Sequence, residues 1–323
     1  MSHLPRRALM AATLAAPSLA RAQDSFPNRP ITLIVPSPAG GGTDFNARLT
    51  AEPLGRALGA TVVVENRPGG NDVVGLQAVL SARPDGYTLL CGYCGTVAGR
   101  AAVNGLGSIV PLRDFVPVGL ISDTPQLVVV HPSVPATTLP EFVALAKARP
   151  GEMAYASAGN GSMHHLSAEY LKLRTGMDLL HVPYRGTGET LRDLIAGRVQ
   201  FYTNSPPPLV PLVREGQLRA LCVSSNERHP GLPDIPSARE QGFADLPLNV
   251  WFSVFAPRGT PEPVVRLLSA KLQEVLSEPA LRRRALESGA ILSPSSAEAL
   301  GERLRVETAA WAEVARKAGI TAG

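Results

Sequence analysis

The sequence predicts an α/β protein built around mostly parallel β-sheet. Short β-branched runs at 31–35, 60–65 and 87–90 alternate with helical apolar spacing at 44–58 and 73–82. This β-α-β-α-β order implies parallel strands covered by helices on both faces, with ligands beyond the carboxyl ends of the strands. The chain has 323 residues, of which 45% are apolar. Its length favours two domains, and it can bury a large core.

A glycine-rich loop at 36–44 joins the first predicted strand to the first predicted helix. Its three consecutive glycines permit positive φ and let the backbone approach a ligand, and we expect Thr43 or Asp44 to cap the helix. The unpaired N–H groups at such a helix start carry about half a positive charge. The loop therefore predicts an anion-binding site, with a purely structural turn as the alternative.

Two nucleotide-binding motifs do not fit this loop. A P-loop needs a lysine after its glycines, and here Thr43 and Asp44 follow them. A dinucleotide motif needs a third glycine where Phe45 stands. We therefore expect an anion other than a nucleotide.

The same arrangement recurs twice further along the chain. A predicted strand at 153–157 leads through a Gly/Asn/Ser loop to a helix at 163–175, and a strand at 179–182 leads to a helix at 189–196. Each helix start can present N–H groups to a negative ligand. Three such starts in one α/β chain indicate a shared anion site.

Four other segments carry structural expectations. Pro53 falls inside the first predicted helix and should kink or break it. The glycine-rich segment 95–111 should be irregular. The apolar segments 115–130 and 250–256 are predicted to cross between the two domains.

The amino terminus has the parts of a secretory signal peptide. Arg6 and Arg7 precede an uncharged run at 8–20, an A-x-A site follows, and we expect cleavage after Ala22. The run is shorter than the roughly 20 residues that a membrane-spanning helix needs. Sec export is favoured, because the flanking residues match a Tat signal poorly. Removing this segment lowers the formal charge from +4 to +1, which gives no reason to expect nucleic acid or anionic lipid as a partner.

The sequence offers no complete catalytic or metal-binding set. Cys91 and Cys94 form a C-x-x-C after an apolar strand, so two core residues, a disulfide and a reactive thiol pair all stay open. Adjacent His164 and His165 would lie about 100° apart around a helix, which is poorly suited to sharing a metal. His181, in an apolar strand, is interpreted as a core histidine. We predict binding groups without catalytic residues, metal or cofactor.

A series of motifs spans essentially the whole mature chain. They are PxRPI at 27–31, IVPxxAGGGTD at 34–44, ENRPG at 65–69, PDGYTLL at 84–90, DFxP at 114–117, YxSxGxGSxxHL at 155–166 and HVPYRG at 181–186. Together they resemble the Bug/TctC family, the extracytoplasmic solute-binding proteins of tripartite tricarboxylate transporters.

This resemblance implies a type II periplasmic-binding-protein fold, in which two α/β lobes joined by two crossing strands close over a ligand. After the signal peptide at 1–22, lobe 1 would comprise 23–122 and 250–323, and lobe 2 would comprise 123–249. The resemblance also implies a periplasmic monomer that binds a small organic carboxylate and delivers it to membrane permease subunits.

In this family backbone and hydroxyl groups typically hold the ligand. The matching positions of lobe 1 are Ala39, Gly42, Thr43, Asp44 and Thr96. Those of lobe 2 are Ser157, Gly159, Asn160, Ser162, Gly186, Thr187 and Asn204. Arg185 would either pair with a ligand carboxylate or fix its own loop.

The chain departs from the family pattern at several positions. The loop at 70–72 is one residue shorter than usual, the segment 101–111 lacks the usual landmarks, and Asn204 stands where many relatives carry Asp. These departures leave the ligand open. Two alternative functions also stay open: a ligand-sensing subunit for a receptor, and a secreted thiol enzyme using Cys91 and Cys94.

Overall fold

The fold consists of two five-stranded sheets with helices packed around them. The computed structural model describes residues 26–246 and 248–321, so the predicted signal peptide and its cleavage site lie outside the described residues. The strands are β1 (Ile31–Val35), β2 (Val62–Asn66), β3 (Thr88–Tyr93), β4 (Phe115–Pro125), β5 (Leu127–Val130), β6 (Ala154–Ser157), β7 (Leu180–Pro183), β8 (Phe201–Asn204), β9 (Arg219–Val223) and β10 (Asn249–Pro257).

The helices follow the predicted alternation with the strands. They are α1 (Gly42–Leu58), α2 (Val73–Leu80), α3 (Arg100–Ala102), α4 (Pro111–Asp114), α5 (Leu139–Ala148), α6 (Met163–Thr175), α7 (Thr187–Ile195), α8 (Val210–Arg214), α9 (Glu262–Leu276), α10 (Pro279–Glu287) and α11 (Ala297–Ala318). A π-helix (Gly95–Gly99) precedes α3, and a 3-10 turn covers Arg239–Gln241. Among the described residues, no helix combines the length and the apolar character that crossing a bilayer requires.

The two sheets share one topology. The first has the order β2-β1-β3-β10-β4, in which β1 runs parallel to β2 and β3, and β10 runs antiparallel to β3 and β4. The second has the order β7-β6-β8-β5-β9, in which β6 runs parallel to β7 and β8, and β5 runs antiparallel to β8 and β9. Each sheet is thus parallel except for one strand, which confirms the predicted α/β class.

The chain passes between the sheets at two adjacent places. Gln126 alone separates β4 of the first sheet from β5 of the second. The return passage enters β10, and Gln126 N lies 3.3 Å from Leu248 O, beside that passage. Gln126 N also donates to Ser224 Oγ at 2.8 Å. The chain therefore changes sheets inside the predicted segment 115–130, whereas the predicted segment 250–256 lies in β10, which pairs only within the first sheet.

Helix α11 is joined to strands β4 and β10 by a partly buried network of hydrogen bonds and ion pairs. Arg303 Nη1 donates to Asp123 Oδ2 at 2.6 Å, and Arg303 Nε donates to Glu307 Oε1 at 2.7 Å. Glu307 also accepts a 2.6 Å hydrogen bond from Nε1 of the fully buried Trp251 in β10. These contacts fix the passage between the lobes to the first sheet.

Two local predictions are wrong in part: the break expected at Pro53 does not occur, and the segment 95–111 is not irregular throughout. Helix α1 continues through Pro53, because its buried face packs on the first sheet and on α9, and this packing outweighs the hydrogen bond that proline cannot make. Residues 95–102 of the segment 95–111 are helical, whereas residues 103–110 lie outside helices and strands as predicted. Its small residues permit close packing there: a Cβ on Gly99 would stand 2.7 Å from Gly161 O in the opposite sheet's loop.

Candidate ligand-binding cleft

A cleft lies between the two sheets, where the carboxyl ends of β1, β3, β6, β7 and β8 converge. Its empty space is about 470 Å³, including the part that opens to solvent. The cleft is therefore where a parallel α/β architecture places its ligand.

The structure brings some of the predicted ligand residues together at this cleft. Those in its lining are Gly42, Thr43, Gly186, Thr187 and Asn204. Outside the lining lie Ala39, Asp44, Thr96, Ser157, Gly159, Asn160 and Ser162. Lining residues that the sequence did not single out as ligand contacts include Asp72, Tyr93, Arg100, His164 and Phe252.

The start of α1 faces the cleft with unpaired amides. Its N-cap is Gly41, without a side-chain cap, so the predicted cap by Thr43 or Asp44 is wrong. Within the described residues, the N–H groups of Gly42, Thr43 and Asp44 donate to no protein acceptor. These donors and the helix dipole favour an anion at this end.

Asp44 instead holds the glycine loop in place. Its carboxylate accepts a 3.0 Å hydrogen bond from Gly40 N and also binds Arg48 and Asn66, each at 3.0 Å. Burial would raise the pKa of Asp44, but the hydrogen bonds from Arg48, Gly40 and Asn66 outweigh burial and hold that pKa below its usual value. Asp44 is therefore an anchored anion of the loop, compensated by Arg48.

The start of α7 faces α1 across the cleft. Gly186 is its N-cap, and the N–H groups of Thr187 and Glu189 have no acceptor among the described residues. The two helix starts nearly touch: a Cβ on Gly41 would lie 3.3 Å from Thr187 Oγ1, and one on Gly186 would lie 3.0 Å from Pro38 Cγ. Two sets of free amides thus meet across the narrow gap.

The start of α6 does not offer its amides in the same way, so the predicted third anion-facing start is wrong. Ser162 Oγ accepts from His165 N at 3.4 Å, and Tyr93 Oη accepts from Met163 N at 3.4 Å. Gly161 N donates to His165 Nδ1 at 3.3 Å. Spacing along the sequence cannot reveal this, because Tyr93 reaches α6 from the other sheet.

A buried ion pair lies at this end of the cleft. Asp72 Oδ2 accepts from Arg100 Nε at 3.0 Å and from Thr96 Oγ1 at 2.7 Å. Arg100 also donates to Asn160 O at 2.9 Å and to Ala158 O at 2.8 Å, in the loop before α6. In the sequence, only the unusually short loop at 70–72 indicated that this region would differ from the family pattern.

His164 stands in the wall of the cleft as a neutral base. Its Nε2 lies 3.0 Å from Asn204 Oδ1, which also accepts from Ser205 N at 2.7 Å, so Nε2 carries the proton. Burial lowers the pKa of His164 to about 4. Its Nδ1 is then an acceptor, buried and without a partner in the described structure.

His165 and His181 form a stack beside the α6 loop rather than a metal site. Their ring centroids are 3.9 Å apart, and Tyr155 stacks on His181 at 4.9 Å. Burial lowers the pKa of His165 to about 3 and that of His181 to about 4. His181 Nε2 lies 2.6 Å from Ser157 Oγ. Over residues 26–246 and 248–321, no group of three or more His, Cys, Asp or Glu is placed to hold a metal.

The three cysteines are free and buried. Burial raises the pKa of the Cys91, Cys94 and Cys222 thiols, so none is a thiolate near neutral pH. The structure therefore favours the interpretation of Cys91 and Cys94 as core residues over a disulfide or a reactive pair.

This burial predicts how the thiols react in solution. The native protein should not react with a thiol reagent such as DTNB, and the unfolded protein should release one thionitrobenzoate for each of Cys91, Cys94 and Cys222. The double variant Cys91→Ser/Cys94→Ser should keep its ligand-induced thermal shift. Loss of that shift in a folded double variant would instead favour thiol chemistry.

Comparison with known proteins identifies the family. Residues 46–304 match the tripartite tricarboxylate transporter family receptor, TctC. The chain belongs to the TctC family. Protein BugT of Bordetella pertussis is 36% identical to this TctC-family chain over 303 residues, which cover 92% of this chain and 91% of BugT. The resemblance seen in the sequence motifs is thereby confirmed.

Solved structures of TctC-like proteins share the two-lobed fold. An R. palustris protein, Rpa4515, with adipate superposes with a TM-score of 0.87 at 35% identity, covering 92% of this chain and 99% of the other. MatC from Rhodopseudomonas palustris, with bound malate, gives a TM-score of 0.82 at 33% identity, covering 90% and 99%. The predicted periplasmic-binding-protein fold is confirmed, and TctC-family proteins are solute-binding receptors.

Proposed function

We propose that this protein is exported to the periplasm, captures a small organic carboxylate in the cleft and delivers it to the membrane subunits of a tripartite tricarboxylate transporter. The observation that carries this proposal is the pair of helix starts, α1 and α7, whose unpaired N–H groups face each other across the cleft. Family membership and the relatives solved with adipate and malate support it.

The proposed ligand places one carboxylate between the amides of Gly42, Thr43 and Thr187. Peptide N–H groups at a helix start recognise a compact anion without a charged side chain. His164 lines the cleft and its buried Nδ1 has no partner in the described structure, so this nitrogen would accept a hydrogen bond from a ligand hydroxyl that reaches it. Hydroxy acids therefore belong among the candidates.

The proposed motion is closure of two lobes. Lobe 1 comprises residues 23–122 and 250–323, and lobe 2 comprises residues 123–249. The adjacent passages at Gln126 and Leu248 support a common hinge. Ligand binding would shift the population toward the closed form. The protein would act as a monomer. It would also act as a binding protein rather than a thiol enzyme, because the thiols of Cys91 and Cys94 are buried and protonated.

A ligand panel tests this function. Protein beginning at Gln23 is heated with dicarboxylates, hydroxy acids, tricarboxylates, aromatic acids and amino acids. At least one carboxylate should raise the melting temperature, because binding to the native state alone stabilises it. Calorimetry then gives Kd, and gel filtration gives the oligomeric state. The proposal fails if no anion stabilises the protein.

A separate observation distinguishes transport from sensing. Neighbouring genes for a large and a small membrane subunit would support delivery to a permease. Pull-down by a receptor ectodomain, in the absence of such subunits, would favour the alternative of a ligand-sensing subunit.

A further inference from the structure

The buried pair of Asp72 and Arg100 closes the α6 end of the cleft. The Arg100 side chain is 4% exposed and the Asp72 side chain is 10% exposed, although both line the cleft. Each guanidinium nitrogen of Arg100 has an acceptor: Asp72 Oδ2, Asn160 O and Ala158 O. Three of the five N–H groups of the guanidinium are thus taken up by protein acceptors.

These hydrogen bonds connect the two halves of the molecule. Arg100 and Asp72 belong to the segment around the first sheet, whereas Ala158 and Asn160 follow β6 of the second sheet. The backbones approach closely around this contact, because a Cβ on Gly159 would lie 2.9 Å from Asn71 Oδ1 and one on Gly161 would lie 2.6 Å from Val103 Cγ2. Separation of the lobes at this end would break the contact.

A buried ion pair is retained without loss of stability only if its remaining donors are satisfied. Asp72 supplies the counter-charge, Thr96 donates a second hydrogen bond to Asp72 Oδ2, and the two carbonyls take the outer nitrogens of Arg100. Lysine has a single nitrogen and cannot reproduce this fork. The geometry therefore requires arginine.

We infer that Arg100 is a specificity-determining residue: held by Asp72, it joins the lobes at the α6 end of the cleft and fills the space there, so the ligand is confined between α1 and α7. This inference rests on the proposed carboxylate-binding function. It explains why Gly159, Asn160 and Ser162 lie outside the cleft lining. The chain should consequently favour short acids over long ones.

Two double variants separate the bulk of Arg100 from its hydrogen bonds. Asp72→Asn/Arg100→Met removes both charges and keeps an unbranched side chain about as long as the aliphatic part of arginine. Asp72→Asn/Arg100→Ala removes the bulk as well. Pairing the changes avoids leaving a buried charge without its partner. The exposed pair Arg228 and Glu240 serves as the control, changed to Met and Gln.

The measurement is Kd for malonate, succinate, glutarate, adipate and suberate, with the radius of gyration from small-angle scattering without ligand. In the Ala variant, the Kd for long acids divided by the Kd for short acids should be on the order of tenfold lower than in the Met variant. One methylene more or less in a pocket changes discrimination by roughly that factor. Both variants should be more open than the wild type and the surface control.

An unchanged length preference in both variants would overturn the inference. If the wild type binds none of these five acids, the inference is decided by scattering alone, whereas the proposed function fails only if no anion of the wider panel stabilises the protein. A Met variant as compact as the wild type overturns it in that case, and a more open one supports the connection that Arg100 makes between the lobes.

Discussion

Replacing Gly42 with alanine should weaken carboxylate binding by about 10- to 100-fold, which is roughly 1.4 to 2.7 kcal/mol. A Cβ at this position would lie 2.5 Å from Ser205 Oγ and 2.8 Å from Phe252 Cζ. Ser205 belongs to the opposite lobe and Phe252 is a buried ring, so closure must stop short. Calorimetric titration with the best acid of the panel measures the loss.

Two controls separate closure from folding. Gly301→Ala lies in α11, where the new Cβ would meet Pro117 Cγ at an ordinary 3.5 Å, and it should bind like the wild type. Adding Ser205→Gly to Gly42→Ala removes the contact with the opposite lobe and should recover part of the affinity. Wild-type affinity in a folded Gly42→Ala protein would show that closure does not bring these groups together.

The stability of the protein should fall steeply as the pH drops below 6.5. Burial lowers the pKa of His164, His165 and His181 to about 4, 3 and 4, from the ordinary histidine value of 6.5. Between pH 6.5 and about 4 the unfolded state binds more protons than the folded state, so stability is highest above 6.5 and declines toward acid. Each such proton contributes up to about 1.4 kcal/mol per pH unit.

Urea unfolding at pH 7.5, 6.5, 5.5 and 5.0 measures this slope, above the range in which most carboxylates titrate. His181→Phe keeps a ring stacked between Tyr155 and His165 and removes one titrating group. The change of its free energy of unfolding with pH should be smaller than in the wild type by the contribution of up to one proton. A free energy of unfolding that stays constant between pH 6.5 and 5.0 would contradict the conclusion that these histidines are buried and neutral in the folded protein.

Much of the fold was predictable because its signals are local. Alternating strand and helix patterns define both sheets, and the motif at 34–44 marks a loop where the carboxyl end of β1 meets α1. The glycines at 41 and 42 stand where protein side chains leave little room for a Cβ, and their approach to a ligand stays a prediction. The family motifs then supplied the two-lobed arrangement, which local patterns alone do not specify.

The contacts at the α6 end of the cleft were not predictable from the spacing of residues along the sequence. Tyr93 and Arg100 reach the α6 loop from the opposite sheet, so their contacts depend on how the lobes meet. Asp44 stands where a helix cap is expected, yet its buried carboxylate binds Arg48, Asn66 and Gly40 N instead. Pro53 is tolerated for a similar reason, because packing against other elements outweighs a local preference.

The burial of all three native thiols has a practical use. A cysteine introduced at the exposed rim, for example Arg185→Cys beside Gly186, would be the site that a maleimide dye modifies in the folded protein. The dye would sit where α7 approaches α1 and would lose contact with water as the gap narrows. The protein therefore lends itself to a single-label optical sensor for carboxylates, without prior removal of its own sulfhydryl groups.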